Sequence, residues 1–240
     1  MGVWYTSYKA FEEICKTNFS EEEQVMGREE NVNIFRDTAR LCRKDERLKA
    51  SLRESTDRQK LILETDDVPK QKRDMYEDAA NIVVSQKRTY EAAEGYKGHK
   101  VAVLNFASAS NPGGGVERGA GAQEECLCRC SGLFFCLNTP EMMDGFYTPH
   151  RNAHDPLHND DIIYTPDVTV FKTDTAAPRL MDESKWYDVD VITCAAPNLR
   201  QMPGNKYNSG DGSEAAVIDD KKLMELHEKR LRRILEVALY

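Results

Sequence analysis

No stretch of this 240-residue sequence approaches the roughly 18 consecutive apolar residues that a helix needs to cross a bilayer; apolar runs such as 133–137 are far shorter. No helical membrane span is therefore expected, and no membrane partner. Net positive charge is missing as well. The chain carries 33 Lys and Arg against 41 Asp and Glu, a formal charge of −8, which disfavours binding by broad phosphate neutralisation and predicts no DNA partner. An anionic ligand would need a local cradle. The sequence also lacks the Gly-x-x-x-x-Gly-Lys-Ser/Thr and Gly-x-Gly-x-x-Gly motifs, which leaves nucleotide-driven motors and dehydrogenases without support. It has no serine-hydrolase elbow, internal repeat or low-complexity tract. A secretory leader is not visible either, because charge begins at Lys9 before any apolar core. The seven cysteines, at positions 15, 42, 126, 128, 130, 136 and 194, are odd in number, so reduced thiols in the cytoplasm are expected, or in the nucleus of a eukaryote. Met1-Gly2-Val3-Trp4-Tyr5-Thr6 formally fits the short N-myristoylation pattern.

What is present is enough for a folded domain: 40% apolar and 31% charged residues can still bury a core. Residues 8 to 64 are rich in Glu, Lys and Arg, with Ile34, Phe35, Leu41, Cys42, Leu48 and Leu52 near a 3.6 period, which reads as a helical appendage or lid. The reading places residues 1–78 in an N-terminal helical extension and 79–240 in the main domain. Ile82-Val83-Val84 predicts a short buried strand, and Thr89 to Tyr96 a helix. Val101 to Phe106 predicts a strand covered on both faces, and Glu117 to Leu133 returns to helix. His150 to Pro166, with prolines at 149, 156 and 166, reads as a long surface loop, while Val168 to Phe171 and Val189 to Ala195 read as strands. Glu214 to Tyr240 predicts an amphipathic helix presenting Val217, Leu223, Leu226, Leu231, Ile234, Leu235 and Ala238. Strands alternating with helices imply an α/β sandwich with a mostly parallel or mixed sheet.

The chemistry is concentrated between Asn105 and Cys130. Asn111-Pro112-Gly113-Gly114-Gly115 follows a strand, and three glycines remove every Cβ from a turn, which lets a ligand reach bare backbone and its N–H groups. Gln123-Glu124-Glu125 comes seven residues later, at or near a helix start. A carboxylate partly desolvated beside such a turn has its pKa raised and can hold a proton for a leaving oxygen. Cleaving a glycosidic bond needs that proton and negative charge near the developing cation, jobs that two neighbouring glutamates can divide.

Asn-Pro-Gly-Gly-Gly followed by Gln-Glu-Glu resembles the signature of the poly(ADP-ribose) glycohydrolases. Residues 101–116 and 119–129 are similar to the microbial-type branch, more loosely continued through 164–171 and 190–198. The resemblance implies a macrodomain-like three-layer α/β/α sandwich with a mixed central sheet, and hydrolysis of ribose–ribose bonds in poly(ADP-ribose) to release ADP-ribose, without a cofactor. By that resemblance Glu125 is the acid and base, Glu124 holds the ribose hydroxyls, and Gly113, Gly114, Gly115 and Val116 admit the ligand. Gln123 fixes the loop, and Asn105 lies near a polar residue that sets it. Expected partners are poly(ADP-ribose) or ADP-ribosylated proteins. Members of the family continue past the long helix into a further strand and a second glycine-rich loop that this sequence does not contain, so a truncated site is expected. The competing reading is a non-catalytic ADP-ribose-binding module or an inactive homologue.

Two other constellations are set aside. In Cys126-x-Cys128-x-Cys130 the middle thiol points away from the other two on a helix, so buried free thiols are expected rather than zinc. His150, His154 and His158 recur every four residues, but Pro149 and Pro156 oppose a continuous helix, so surface-loop histidines are expected and no metal.

Overall fold

The computed structural model describes residues 21–68 and 81–239. Two helices, α1 (Glu21–Lys44) and α2 (Glu46–Asp57), lead into β1 (Lys60–Ile62); α3 (Thr89–Glu94) precedes β2 (Ala102–Ala107). After a glycine turn come α4 (Gln123–Cys130) and α5 (Leu133–Leu137), then short helical segments through α6 (Pro140–Met142) and α7 (Thr148–Ala153). The long strands β3 (Ile162–Val170) and β4 (Tyr187–Ala195) and the helix α8 (Asp220–Ala238) complete it. The strands form one mixed sheet in the order β1-β3-β4-β2, with β2 parallel to β4 and the other pairs antiparallel.

The strand side chains sort by alternation. Val103, Val191 and Ile163 face a core shared with α4 and α5, while Leu104, Ile192 and Ile162 face the other way, against Ile234 and Val237 of α8. Helices thus cover both faces, which is the three-layer arrangement. In β4, flanked by strands and covered above and below, Val189–Ala195 are all buried, so apolar residues fill both faces and only Asp190 and Thr193 interrupt them. In β3 the pairing slips between Thr165 and Val168. Pro166 lacks a ladder donor there and Asp167 takes a φ of 50°, which gives a bulge.

Several expectations need correction. Residues 27–68 are not an appendage: Lys60–Ile62 is an edge strand of the same sheet, and Phe35 enters the main core edge-to-face with Phe134 at 5.0 Å. A boundary at 78 would divide one core. Residues 69–80, which flank it, and the N-terminal Met-Gly pattern and Cys15 lie outside the described residues. Ile82, Val83 and Val84 form no strand and are 85%, 67% and 93% exposed, because a β-prone triplet needs a neighbouring strand and has none there. Strand β2 is fully covered on one face only, with Leu104 half-buried on the other. It is an edge strand among the described residues, and Ala102 and Phe106 alternate outward. The stretch His150–Pro166 is not one surface loop, since α7 includes its start and β3 its buried end. Pro149 is tolerated because it sits in the first turn of α7.

Helix α8 begins at the cap Asp219, whose carboxylate accepts the Lys222 N–H at 3.0 Å. Its attachment is mixed and narrower than the expected apolar stripe: Val217, Leu231 and Leu235 are exposed, and Arg230, Ile234 and Val237 are the buried residues. Buried Arg230 donates to Asp160 Oδ1 at 2.7 Å, to the Ala195 carbonyl at 2.9 Å and to the carbonyls of Leu157 and His158 at 3.2 and 3.0 Å. It ties the end of β4 to the loop before β3. Arg230→Met should cost about 3 kcal/mol, because it strands the Asp160 charge and three carbonyls in a buried setting. Urea unfolding measures this, and a loss below about 1 kcal/mol would show that Lys229, 2.7 Å from Asp160, suffices.

Among the described residues no helix is long and apolar enough to cross a membrane.

Candidate active site

The turn between β2 and α4 brings the glycines and glutamates together. Gly113 and Gly114 take φ of 63° and 60°, a region that favours glycine. A Cβ at Gly114 would lie 2.5 Å from Glu125 Oε1 and 3.0 Å from Glu124 Oε2, so both carboxylates abut this one backbone atom. A Cβ at Gly113 would meet the Phe134 ring at 2.7 Å. Both glutamates stand in the first turn of α4, where the helix dipole favours negative charge, yet both are buried.

Their partners differ. Glu125 Oε1 accepts the Gly115 N–H at 2.8 Å, while Glu125 Oε2 is buried without a protein partner. Glu124 Oε2 accepts the Ser108 N–H at 2.8 Å, and Oε1 accepts from Asn105 Nδ2 at 3.4 Å. Asn105 also donates to Thr193 Oγ1 at 3.2 Å, across the β2–β4 pair in which these two residues are in register. Burial pushes the Glu124 carboxyl up to about 8, against the pull of its amide donors and with help from the Glu125 charge. The raised carboxyl was expected beside the glycine turn, and the push falls on Glu124, the more enclosed of the two.

This raised value has a stability consequence. The unfolded chain releases the Glu124 proton near pH 4.5 and the folded one near 8, so its contribution is complete below 4.5 and is lost as pH rises toward 8. Glu124→Gln removes that dependence. The variant should therefore gain on the parent between pH 5 and pH 8.5 in urea unfolding, and identical pH profiles would refute the assignment.

The carboxylates stand at the base of a cleft of about 580 Å³ at the carboxyl ends of the parallel strands β2 and β4. One wall is the glycine turn with Ser108, Asn111 and Arg118; the other is the chain leaving β4, with Asn198, Arg200, Lys206 and Tyr207. Crevices at carboxyl strand ends are where open α/β sheets bind ligands. Helix α1 braces the turn from behind. Asn31 Nδ2 donates to the Gly119 carbonyl at 3.1 Å, and a Cβ at Gly119 would lie 2.1 Å from the Arg28 carbonyl oxygen.

A family model described as the microbial-type PARG catalytic domain matches residues 26–173, which span the turn, both glutamates and the bracing helix. This chain belongs to that family. The PARG fold is similar to the poly(ADP-ribose) glycohydrolase of Thermomonospora curvata, at 28% identity and a TM-score of 0.70 over 87% of this chain and 74% of that one. It is also similar to the enzyme of Deinococcus radiodurans solved in complex with ADP-ribose, at 31% identity and a TM-score of 0.61 over 78% of this chain and 70% of that one. Comparison with curated proteins gives no match.

Within this PARG-family site, Gly114, Gly115, Glu124 and Glu125 line the cleft, and buried Asn105 supports it from below. Val116 does not reach the cleft: it is 1% exposed and packs in the core. Gly113 shapes the turn without lining the cleft. Gln123 also stays outside it and braces the edge strand, accepting the Phe106 N–H at 3.0 Å and donating to the Leu104 carbonyl at 2.7 Å, as a neighbouring strand would. The six cysteines among the described residues are free thiols, with Cys128 and Cys130 buried and pushed up by that burial. No metal-binding group occurs among the described residues. The histidines are not uniformly on the surface: His150 is buried and bonded to the Phe146 carbonyl at 2.8 Å, while His158 lines the cleft and is pushed down to about 4 by burial. The second wall of the cleft went unrecognised in the sequence. Its signal was the cluster of Arg200, Lys206 and Tyr207 in a Pro- and Gly-rich stretch just after a strand.

Proposed function

We propose that this chain hydrolyses the ribose–ribose O-glycosidic bonds of poly(ADP-ribose) and releases ADP-ribose, with Glu125 as general acid and base. The observation that carries the reading is the convergence of the Glu125 and Glu124 carboxylates on the bare backbone at Gly114, inside a cleft. Glu125, which lines the cleft, gives a proton to the departing ribose oxygen and takes one back from the water that adds to the anomeric carbon. Burial keeps one proton on the carboxyl pair at physiological pH; Glu125 delivers that proton to the leaving oxygen, and Glu124 then accepts from the ribose hydroxyls. The bare backbone of the glycine turn admits the diphosphate, and Arg118 at the cleft wall pairs with it. Asn105 and Gln123 fix the strand end and the turn. The partly exposed Cys126 and the buried thiols support a reducing, cytoplasmic setting.

A pure reader of ADP-ribose would gain nothing from two buried carboxyls beside an anionic ligand, which favours an enzyme. The test is direct: the chain is incubated with purified poly(ADP-ribose) and free ADP-ribose is resolved by chromatography. Turnover should decline as pH rises through about 8, because the proton shared by the carboxyl pair is lost there. No release at any pH, with ADP-ribose binding intact, would favour the reader instead.

A further inference from the structure

The second wall of the cleft contains charge that cleavage of one terminal unit does not use. Arg200 and Lys206 are exposed cations at the cleft edge, and neither makes an ion pair among the described residues. That is notable in a chain of formal charge −8, where many other cations are paired, Lys229 with both Asp160 and Glu64 for example. Arg118, also without an ion pair among the described residues, stands apart from them on the turn, with Nη2 3.7 Å from the Cβ position of Gly115.

This wall is a built structure. Asn208, 1% exposed, donates to the Glu214 carbonyl at 2.7 Å; the Asn198 N–H donates to the Pro156 carbonyl at 2.8 Å. Asn205 Nδ2 reaches Ser110 Oγ at 3.4 Å, and Arg151 Nε donates to the Ser110 carbonyl at 2.7 Å, which fastens the wall to the glycine turn. Half-buried Tyr207 then orients charge: the Arg151 guanidinium and the Lys206 ammonium lie 5.2 and 4.8 Å from its ring centroid. Cations held in place before a ligand arrives lose less rotamer entropy when it binds.

We propose that Arg200 and Lys206, with Lys206 steadied by Tyr207, form a second anion subsite for the diphosphate of the ADP-ribose unit on the far side of the scissile bond. The proposal rests on the glycohydrolase reading of the cleft. Every unit of the polymer carries a diphosphate, and the glycine turn with Arg118 accounts for one of them. A bond between two units places a second diphosphate beyond the first, where the chain leaving β4 presents its two unpaired cations. These cations also offset the repulsion that the carboxylates exert on an approaching polyanion. The subsite makes the chain selective for polymer over a single unit.

Binding of ADP-ribose and of size-fractionated poly(ADP-ribose) is measured by calorimetry in a Glu125→Gln background, with and without Arg200→Ala and Lys206→Ala together. The double replacement should weaken polymer binding at least tenfold more than ADP-ribose binding. It should also flatten the salt dependence of polymer binding, by about 1.4 in log–log slope for two phosphate contacts on a single strand. Lys206→Glu should weaken polymer binding further. Equal losses for the two ligands, or no loss for the polymer, would overturn the second subsite while leaving the first intact. If the Glu125→Gln parent binds neither ligand, the glycohydrolase reading of the cleft itself fails.

Discussion

Glu125→Gln is expected to lower ADP-ribose release at least a thousandfold while leaving ADP-ribose affinity within about threefold of the parent, the range of losses known for removal of a general acid and base. The replacement is nearly isosteric. The amide oxygen can still accept the Gly115 N–H that Oε1 accepts at 2.8 Å, so the turn keeps its shape. What disappears is a proton that can leave. The losses should therefore fall on kcat, since the missing interaction exists only as the glycosidic bond breaks. Near-parental turnover would remove Glu125 from the chemistry and shift attention to Glu124, the neighbouring carboxyl that burial holds protonated to about pH 8. A single-turnover assay on poly(ADP-ribose), paired with calorimetry on ADP-ribose, separates these outcomes.

Which parts of this arrangement are legible in the residue order follows from the range of the forces involved. The strand Ala102–Ala107, the turn and the start of α4 are local: an apolar run, three glycines and a helix opening on small residues are all encoded within 30 positions. Long-range pairing is not. Lys60–Ile62 looks helical because charged residues surround it, and only contact with Ile162–Tyr164, a hundred positions away, makes it a strand. Ile82–Val84 shows the reverse, with good β residues and no strand to meet. The long helix misleads because only Ile234 of its expected apolar stripe is buried, beside Val237, while the rest of its seat is a buried Arg230 reading carbonyls from two other segments. The carboxylate pair is visible, but its division into a partnered Glu124 and an unpartnered Glu125 Oε2 depends on Asn105 and Thr193, which meet only across two paired strands. The second wall of the cleft is a loop with no periodicity to find it by.

Gly114→Ala tests the convergence itself. The added methyl would stand 2.5 Å from Glu125 Oε1, and the φ of 60° is strained for any residue with a Cβ, at about 1–3 kcal/mol. Backbone at this position is held by the Gly114 N–H bond to the Asn111 carbonyl at 2.9 Å, so the side chain is the part that must move. Displacing a catalytic group by about 1 Å costs on the order of a hundredfold in rate. Activity should fall by that amount at a loss of stability too small to unfold the chain near 25 °C. The decisive comparison is the double variant. If glycine at 114 serves chiefly to seat the acid, Gly114→Ala in the Glu125→Gln background should cost little further activity, because the two changes remove parts of one unit. Fully multiplicative losses would mean that the glycine acts on the ligand independently of Glu125. Weakened ADP-ribose binding in the glycine variant, measured alongside, would then locate that independent effect at the diphosphate.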